Sequence, residues 1–121
     1  MKIKNIFRMF FVPCFCIVLS SFNADAFVEK DVAIFNVLDK AAGKTKTITV
    51  RVDQAVAFEK LIINVRSCKQ TDPFTPENFY AFTEITKSDN TKVFSNWMDR
   101  NNPGRDPVQN PDYDVWLLRC E

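Results

Sequence analysis

The sequence predicts an all-β domain: a small antiparallel β-sandwich or partly open barrel of about six strands, carrying one disulfide. Three observations predict it. Apolar, β-branched and aromatic residues recur in short runs with a period of two, and the 3.6-residue periodicity of long helices is missing. Turn-forming residues separate these runs at close intervals. Beyond residue 26 the chain holds two cysteines, Cys68 and Cys120, each at the end of such a run.

The chain divides into residues 1–26, a predicted signal peptide that is cleaved, and residues 27–121, a predicted single β domain. Lys2, Lys4 and Arg8 form a charged start, and an apolar stretch of eleven residues runs from Met9 to Leu19. Ala24-Asp25-Ala26 then supplies a small-x-small cleavage pattern, which makes Phe27 the expected first residue after export. A membrane span needs roughly 20 apolar residues, and this stretch is too short and interrupted by Pro13. No second apolar run of spanning length follows. Cleavage also removes Cys14 and Cys16, leaving Cys68 and Cys120 as a pair in an oxidising compartment, where a disulfide is the simplest outcome.

Six strands are predicted in order. Ala33–Asp39 is rich in β-branched and aromatic residues. Thr45–Val52 alternates most cleanly, with Ile48, Val50 and Val52 on one face and Thr47, Thr49 and Arg51 on the other. Ala41-Ala42-Gly43-Lys44 joins these two as a hairpin loop in which Gly43 supplies a positive φ. Leu61–Cys68 is the third run, with Leu61, Ile63 and Val65 opposite Ile62, Asn64, Arg66 and Cys68. Phe79–Thr86 and Lys92–Met98 follow, joined by a turn at Ser88-Asp89-Asn90. Tyr113–Cys120 is the sixth. Residues 70–78 and 99–112 carry prolines, which fix φ and remove amide donors, so both are predicted as ordered loops. Long loops in small domains are often functional.

Charge and chemistry exclude much. Losing Lys2, Lys4, Arg8 and Asp25 with the signal turns the net charge from +1 to −1, with both signs interspersed. Nucleic-acid binding, which needs a phosphate-neutralising patch, is therefore not expected. The chain contains no histidine, which excludes Ser-His-Asp and Cys-His catalysis and imidazole metal sites. Its two glycines, far apart, form no phosphate-cradling loop. Asp112 and Asp114, two apart, would share a strand face as an acid pair, although a solvated strand edge is the commoner reading. Asp99-Arg100-Asn101-Asn102 with Asp106 could offer oxygens to calcium but lacks the spacing of a calcium loop. No cofactor and no metal is expected. Trp97 and Trp116 read first as core-filling rings and second as a partner-facing surface. Tyr113, at a strand start beside Pro111, is expected to be partly exposed.

Several segments carry a family likeness: Val37-Leu38-Asp39-Lys40 with Gly43, Phe58 with Leu61, and Val65-Arg66-x-Cys68. They continue with Pro76-Glu77, Ala81-Phe82-x-Glu84-Ile85 and Val93-Phe94-Ser95-Asn96-Trp97-Met98, and end with Pro111-x-Tyr113-Asp114-Val115-Trp116 and Cys120. In these the chain resembles an uncharacterised bacterial exported family, domain of unknown function 2155. Asn96 stands where that family often has glycine, and Asn110 where it often has histidine. The resemblance implies a small secreted envelope protein of Gram-negative bacteria, in the periplasm, and supplies no activity.

The expected function is thus a non-catalytic periplasmic binding or interaction domain of the cell envelope, with an envelope protein or glycan as partner. The candidate partner-binding residues are Trp97, Met98, Asp99, Arg100, Tyr113 and Asp114, around the 99–112 loop. One alternative is an inhibitor of a secreted hydrolase, a lysozyme or protease. Another is a carboxylate-based glycan enzyme using Asp112 and Asp114.

Overall fold

A computed structural model of the chain describes residues 27–121; the predicted signal peptide lies outside the described residues. Eight strands and no helix make up this part: β1 (Phe27–Lys30), β2 (Val32–Asp39), β3 (Lys44–Arg51), β4 (Val56–Phe58), β5 (Leu61–Thr71), β6 (Phe79–Lys87), β7 (Lys92–Asp99) and β8 (Tyr113–Cys120). The six predicted strands are all present, and two short ones join them. β1 and β4 have four and three residues, too few to show an alternation in sequence.

All strand pairs are antiparallel and form two sheets. The larger runs β1-β5-β6-β7, with β4 also on β5, and the smaller runs β3-β2-β8. β1 and β4 share one edge of β5: β1 pairs with Cys68–Thr71 and β4 with Leu61–Ile63. β1 explains why β5 continues through the polar residues Lys69, Gln70 and Thr71, beyond the predicted end at Cys68. Backbone pairing holds them where no apolar pattern does.

The sandwich is closed along one side and open along the other. On the closed side the chain passes between sheets twice. β1 leads into β2 through a bend at Asp31, whose N–H, with that of Val32, donates to the Glu121 carbonyl. β3 leads through Val52 and Asp53 into β4, and the Asp53 N–H donates to the Val65 carbonyl of β5 at 2.8 Å. Asp53 adopts φ 64° to make this crossing, a left-handed conformation that Asp tolerates better than most residues. On the open side β7 and β8 are the outermost strands of their sheets, so no backbone ladder joins them. The fold is a sandwich with one closed corner, not a closed barrel.

The core lies between the sheets. Phe35, Val37, Val50, Leu61, Ile63, Val65 and Ile85 are among its fully buried side chains, each from the inward phase of its strand. Cys68 belongs to this core too, which corrects the predicted facing. Strict alternation sets Cys68 opposite Leu61, Ile63 and Val65, but the β5–β6 register shifts between Val65 and Ser67. One extra residue reverses the phase beyond it, so Cys68 turns inward. There it bonds Cys120, with the two Cα atoms 5.7 Å apart, and ties the larger sheet to the smaller.

Both predicted hairpins form. Gly43 has φ 65°, and Ala41 and Ala42 N–H donate to Asp39 Oδ1. Asn90 has φ 69° in the β6–β7 turn.

Candidate functional site

The open side of the sandwich holds a cleft of about 260 Å³. Its floor comes from the free edges of β7 and β8: Asn96, Trp97 and Met98 on one, Val115, Trp116 and Leu117 on the other. Its wall is the 99–112 loop, through Asn102, Pro103, Arg105, Asp106 and Pro107. Tyr80, from the neighbouring β6, completes the rim. Side chains on a strand alternate between faces. A cavity lined by three consecutive residues of each strand is therefore bounded by strand edges, with backbone groups, and not by one sheet face.

The loop that forms the wall is held at both ends. Near its start, the buried Asn78 donates from Nδ2 to Asp99 Oδ1 at 2.8 Å. The same side chain accepts the N–H groups of Phe79 and Asn101 through Oδ1, at 2.8 and 3.1 Å. Arg100 stacks over the Phe79 ring at 4.8 Å and donates to both the Glu77 carboxylate and its carbonyl. At its end Asn110 is buried, and its Oδ1 accepts the N–H groups of Asp112 and Tyr113. Lys40 donates to the Asn110 carbonyl at 2.8 Å. Between these anchors Val108 enters the core. The two prolines of the wall have no amide to satisfy, which suits a segment running over a cleft.

The predicted candidates divide between different places. Trp97 lies on the cleft and is 39% exposed, which corrects its reading as core. It stands in the outward phase of β7, against Phe82 at 5.4 Å and beneath the Lys69 ammonium at 5.4 Å. Met98 is buried in the core and reaches the cleft from below. Asp99 lines the cleft and caps the Asn101 N–H. Arg100 is engaged inside the chain, with Glu77 and Phe79.

Tyr113 does not lie on the cleft. It is 6% exposed, where partial exposure was expected. Its phenol packs edge-on against Phe58 and donates to Glu59 Oε2 at 2.7 Å. Bonding to Glu59, burial and the nearby acidic groups push its pKa up to about 12, since each disfavours the phenolate. Asp114 lies in a shallower adjoining hollow beside Pro103 and Trp116 and pairs with Lys40 at 3.2 Å. Asp112 is an exposed loop residue. Of the acid pair, Asp112 thus lies in the loop and Asp114 in an ion pair at the start of β8.

Sequence reading assigned no role in a site to Asn96, Tyr80 or Arg105, and gave Trp116 a partner-facing surface only as its second reading. Asn96 carries the one readable signal. It occupies the inward phase of β7 between buried Phe94 and Met98, yet it is exposed, because the cleft opens beneath it. A polar residue at an apolar phase is the pattern to search for. Its Oδ1 accepts the N–H of Trp97 at 2.7 Å.

Among the described residues no cluster of three or more potential ligand side chains could hold a metal ion, and no helix is long and apolar enough to cross a membrane. The cleft presents aromatic rings, amides, one guanidinium, two carboxylates and free strand edges.

A bacterial family model described as an uncharacterized protein conserved in bacteria, DUF2155, matches residues 33–120. The matched stretch contains both sulfurs of the disulfide and every residue of the cleft. No curated protein and no solved structure matches the chain.

Proposed function

We propose that this chain, which belongs to the DUF2155 family of bacterial proteins, is a non-catalytic binding domain of the periplasm that seats an envelope protein or glycan in the cleft under the 99–112 loop. One observation carries the reading: a formed, partly apolar cleft in which three aromatic rings converge with amides, a guanidinium and the carboxylates of Asp99 and Asp106 on one space. Binding sites typically combine aromatic lining with a few placed polar groups. Here Tyr80, Trp97 and Trp116 supply the rings, and Asn96, Asn102 and Arg105 supply donors. The disulfide suits an oxidising compartment, and the sequence-predicted signal peptide would deliver the chain there.

Two tests address this reading. Cross-linking in periplasmic extract is carried out with the native protein and with a Trp97→Ala, Arg105→Ala double variant. The expected outcome is a partner that the native protein retains and the variant loses. Equal recovery by both proteins places the interaction elsewhere. The address is tested separately, by finding the N-terminus of material released on osmotic shock; a retained leader or a cytoplasmic pool overturns it.

A further inference from the structure

We propose that the free edge of β7 takes an extended polypeptide segment of a partner protein as an added strand across Ser95–Asp99. This rests on the binding reading above and names the partner's chemistry as polypeptide. The hydrogen-bond phase of β7 is fixed by its end: Arg100 N–H donates to the Phe79 carbonyl. With the register that sets Met98 against Ala81 and Asn96 against Thr83, these residues direct their backbone groups to β6. The alternate residues, Ser95, Trp97 and Asp99, therefore direct theirs away from the sheet. The Trp97 N–H shows this directly, since it bonds the Asn96 side chain and not β6. The Ser95 N–H points the same way in this phase.

Edge strands are ordinarily protected against pairing by lysines, prolines or inward charges. The outer strand of the smaller sheet, β3, has this protection in Lys44, Lys46 and Arg51. β7 has charges only at its ends, Lys92 and Asp99, and none from Val93 to Met98, where the Asn96 side chain occupies the outward Trp97 N–H. The cleft also favours a single added segment over a second copy of the domain. The loop wall covers one side of the edge, and the cleft between them, about 260 Å³, is a space for part of an extended segment and not for a folded domain. Backbone bonding along such an edge gives affinity, and the flanking pockets at Trp97 and Trp116 give selection.

The probe is a phage-displayed random peptide library, selected on the disulfide-bonded protein, with an N-acetylglucosamine oligomer measured in parallel. Selected peptides should slow hydrogen exchange at the Ser95 and Asp99 amides. Ser95→Pro removes one outward donor and leaves the β6 ladder intact, so it should weaken these peptides by about tenfold or more. Peptides that bind without protecting those amides overturn the proposal, a result that stands even if Ser95→Pro fails to fold. Oligosaccharide binding that needs Trp97 and ignores Ser95→Pro, with no peptide selected, overturns strand addition and leaves the cleft reading in place. Binding of neither probe overturns both.

Discussion

At Tyr113 a single hydroxyl joins two distant parts of the chain. Its partner Glu59 sits at φ 51° in the tight β4–β5 turn, a conformation that costs a non-glycine residue on the order of 1–2 kcal/mol. The bond to Tyr113 helps hold that turn. Tyr113→Phe should therefore lower stability by about 1–2 kcal/mol, read by urea denaturation, since Glu59 is exposed and can be rehydrated. The same bond sets an alkaline limit. A pKa raised from 10.0 to about 12 means the native state holds its proton more tightly than the unfolded chain. The contribution is complete below about pH 10 and is lost as pH rises toward 12. Native protein should lose more stability than Tyr113→Phe between pH 9 and about 11.5; parallel losses in the two proteins would reject this. Asn78 is another residue of this kind. Asn78→Ala leaves the buried N–H of Phe79 without its acceptor and removes one of the two acceptors of Asn101, and should lower Tm by roughly 5–10 °C. Neither role was legible in the sequence, because the partners lie far along the chain and alternation reports burial, not pairing. Tyr113 was misjudged for that reason: Pro111 signals a loop, but not what covers the next ring.

At the scale of strands and turns the sequence was most legible. The Ala41–Lys44 turn and Gly43 followed from local chemistry alone, and Gly43 gives a clean test. Nothing lies within 4 Å of a Cβ built there, so Gly43→Ala carries backbone strain without a clash. Its cost should be about 1 kcal/mol, measured by thermal melting; a much larger loss would mean the hairpin contributes more than its turn. What alternation could not reveal were the irregularities that decide facing. The bulge before Ser67 turns Cys68 into the core, and another shift between Ile34 and Phe35 adjusts β8 against β2. Inserted residues have no compositional mark here, since Arg66 and Leu118 are ordinary strand residues. The cleft was half legible. Trp97 and the 99–112 loop drew notice by type and by proline content. Tyr80 did not, and Asn96 stood out only as a departure from the family's glycine, because their importance comes from the open side of the sandwich, a property of sheet order.

For the molecule as a whole, the disulfide is the feature that sequence and structure share most fully. It closes a separation of 52 residues, a span worth about 4 kcal/mol in the chain-entropy account. Replacing both cysteines by alanine should remove stability of that order, seen as a lower urea midpoint with the slope little changed. An unaltered midpoint would mean that the packed core alone sets stability. A domain of this size has a limited core, which makes a cross-link between the sheets more valuable.

The position of that bond also divides the molecule mechanically. Grip the chain at Phe27 and Glu121 and pull: the load passes along the polypeptide to Cys68 and crosses the sulfur bridge to Cys120. Everything between the two sulfurs, including the cleft and its wall, sits in a covalent ring outside the path of force. Stretching the oxidised protein should release about 140 Å of contour length, against about 320 Å once the bridge is reduced. Optical tweezers would read the two lengths directly. A load applied at the two ends would leave the cleft and its wall within an unbroken covalent ring.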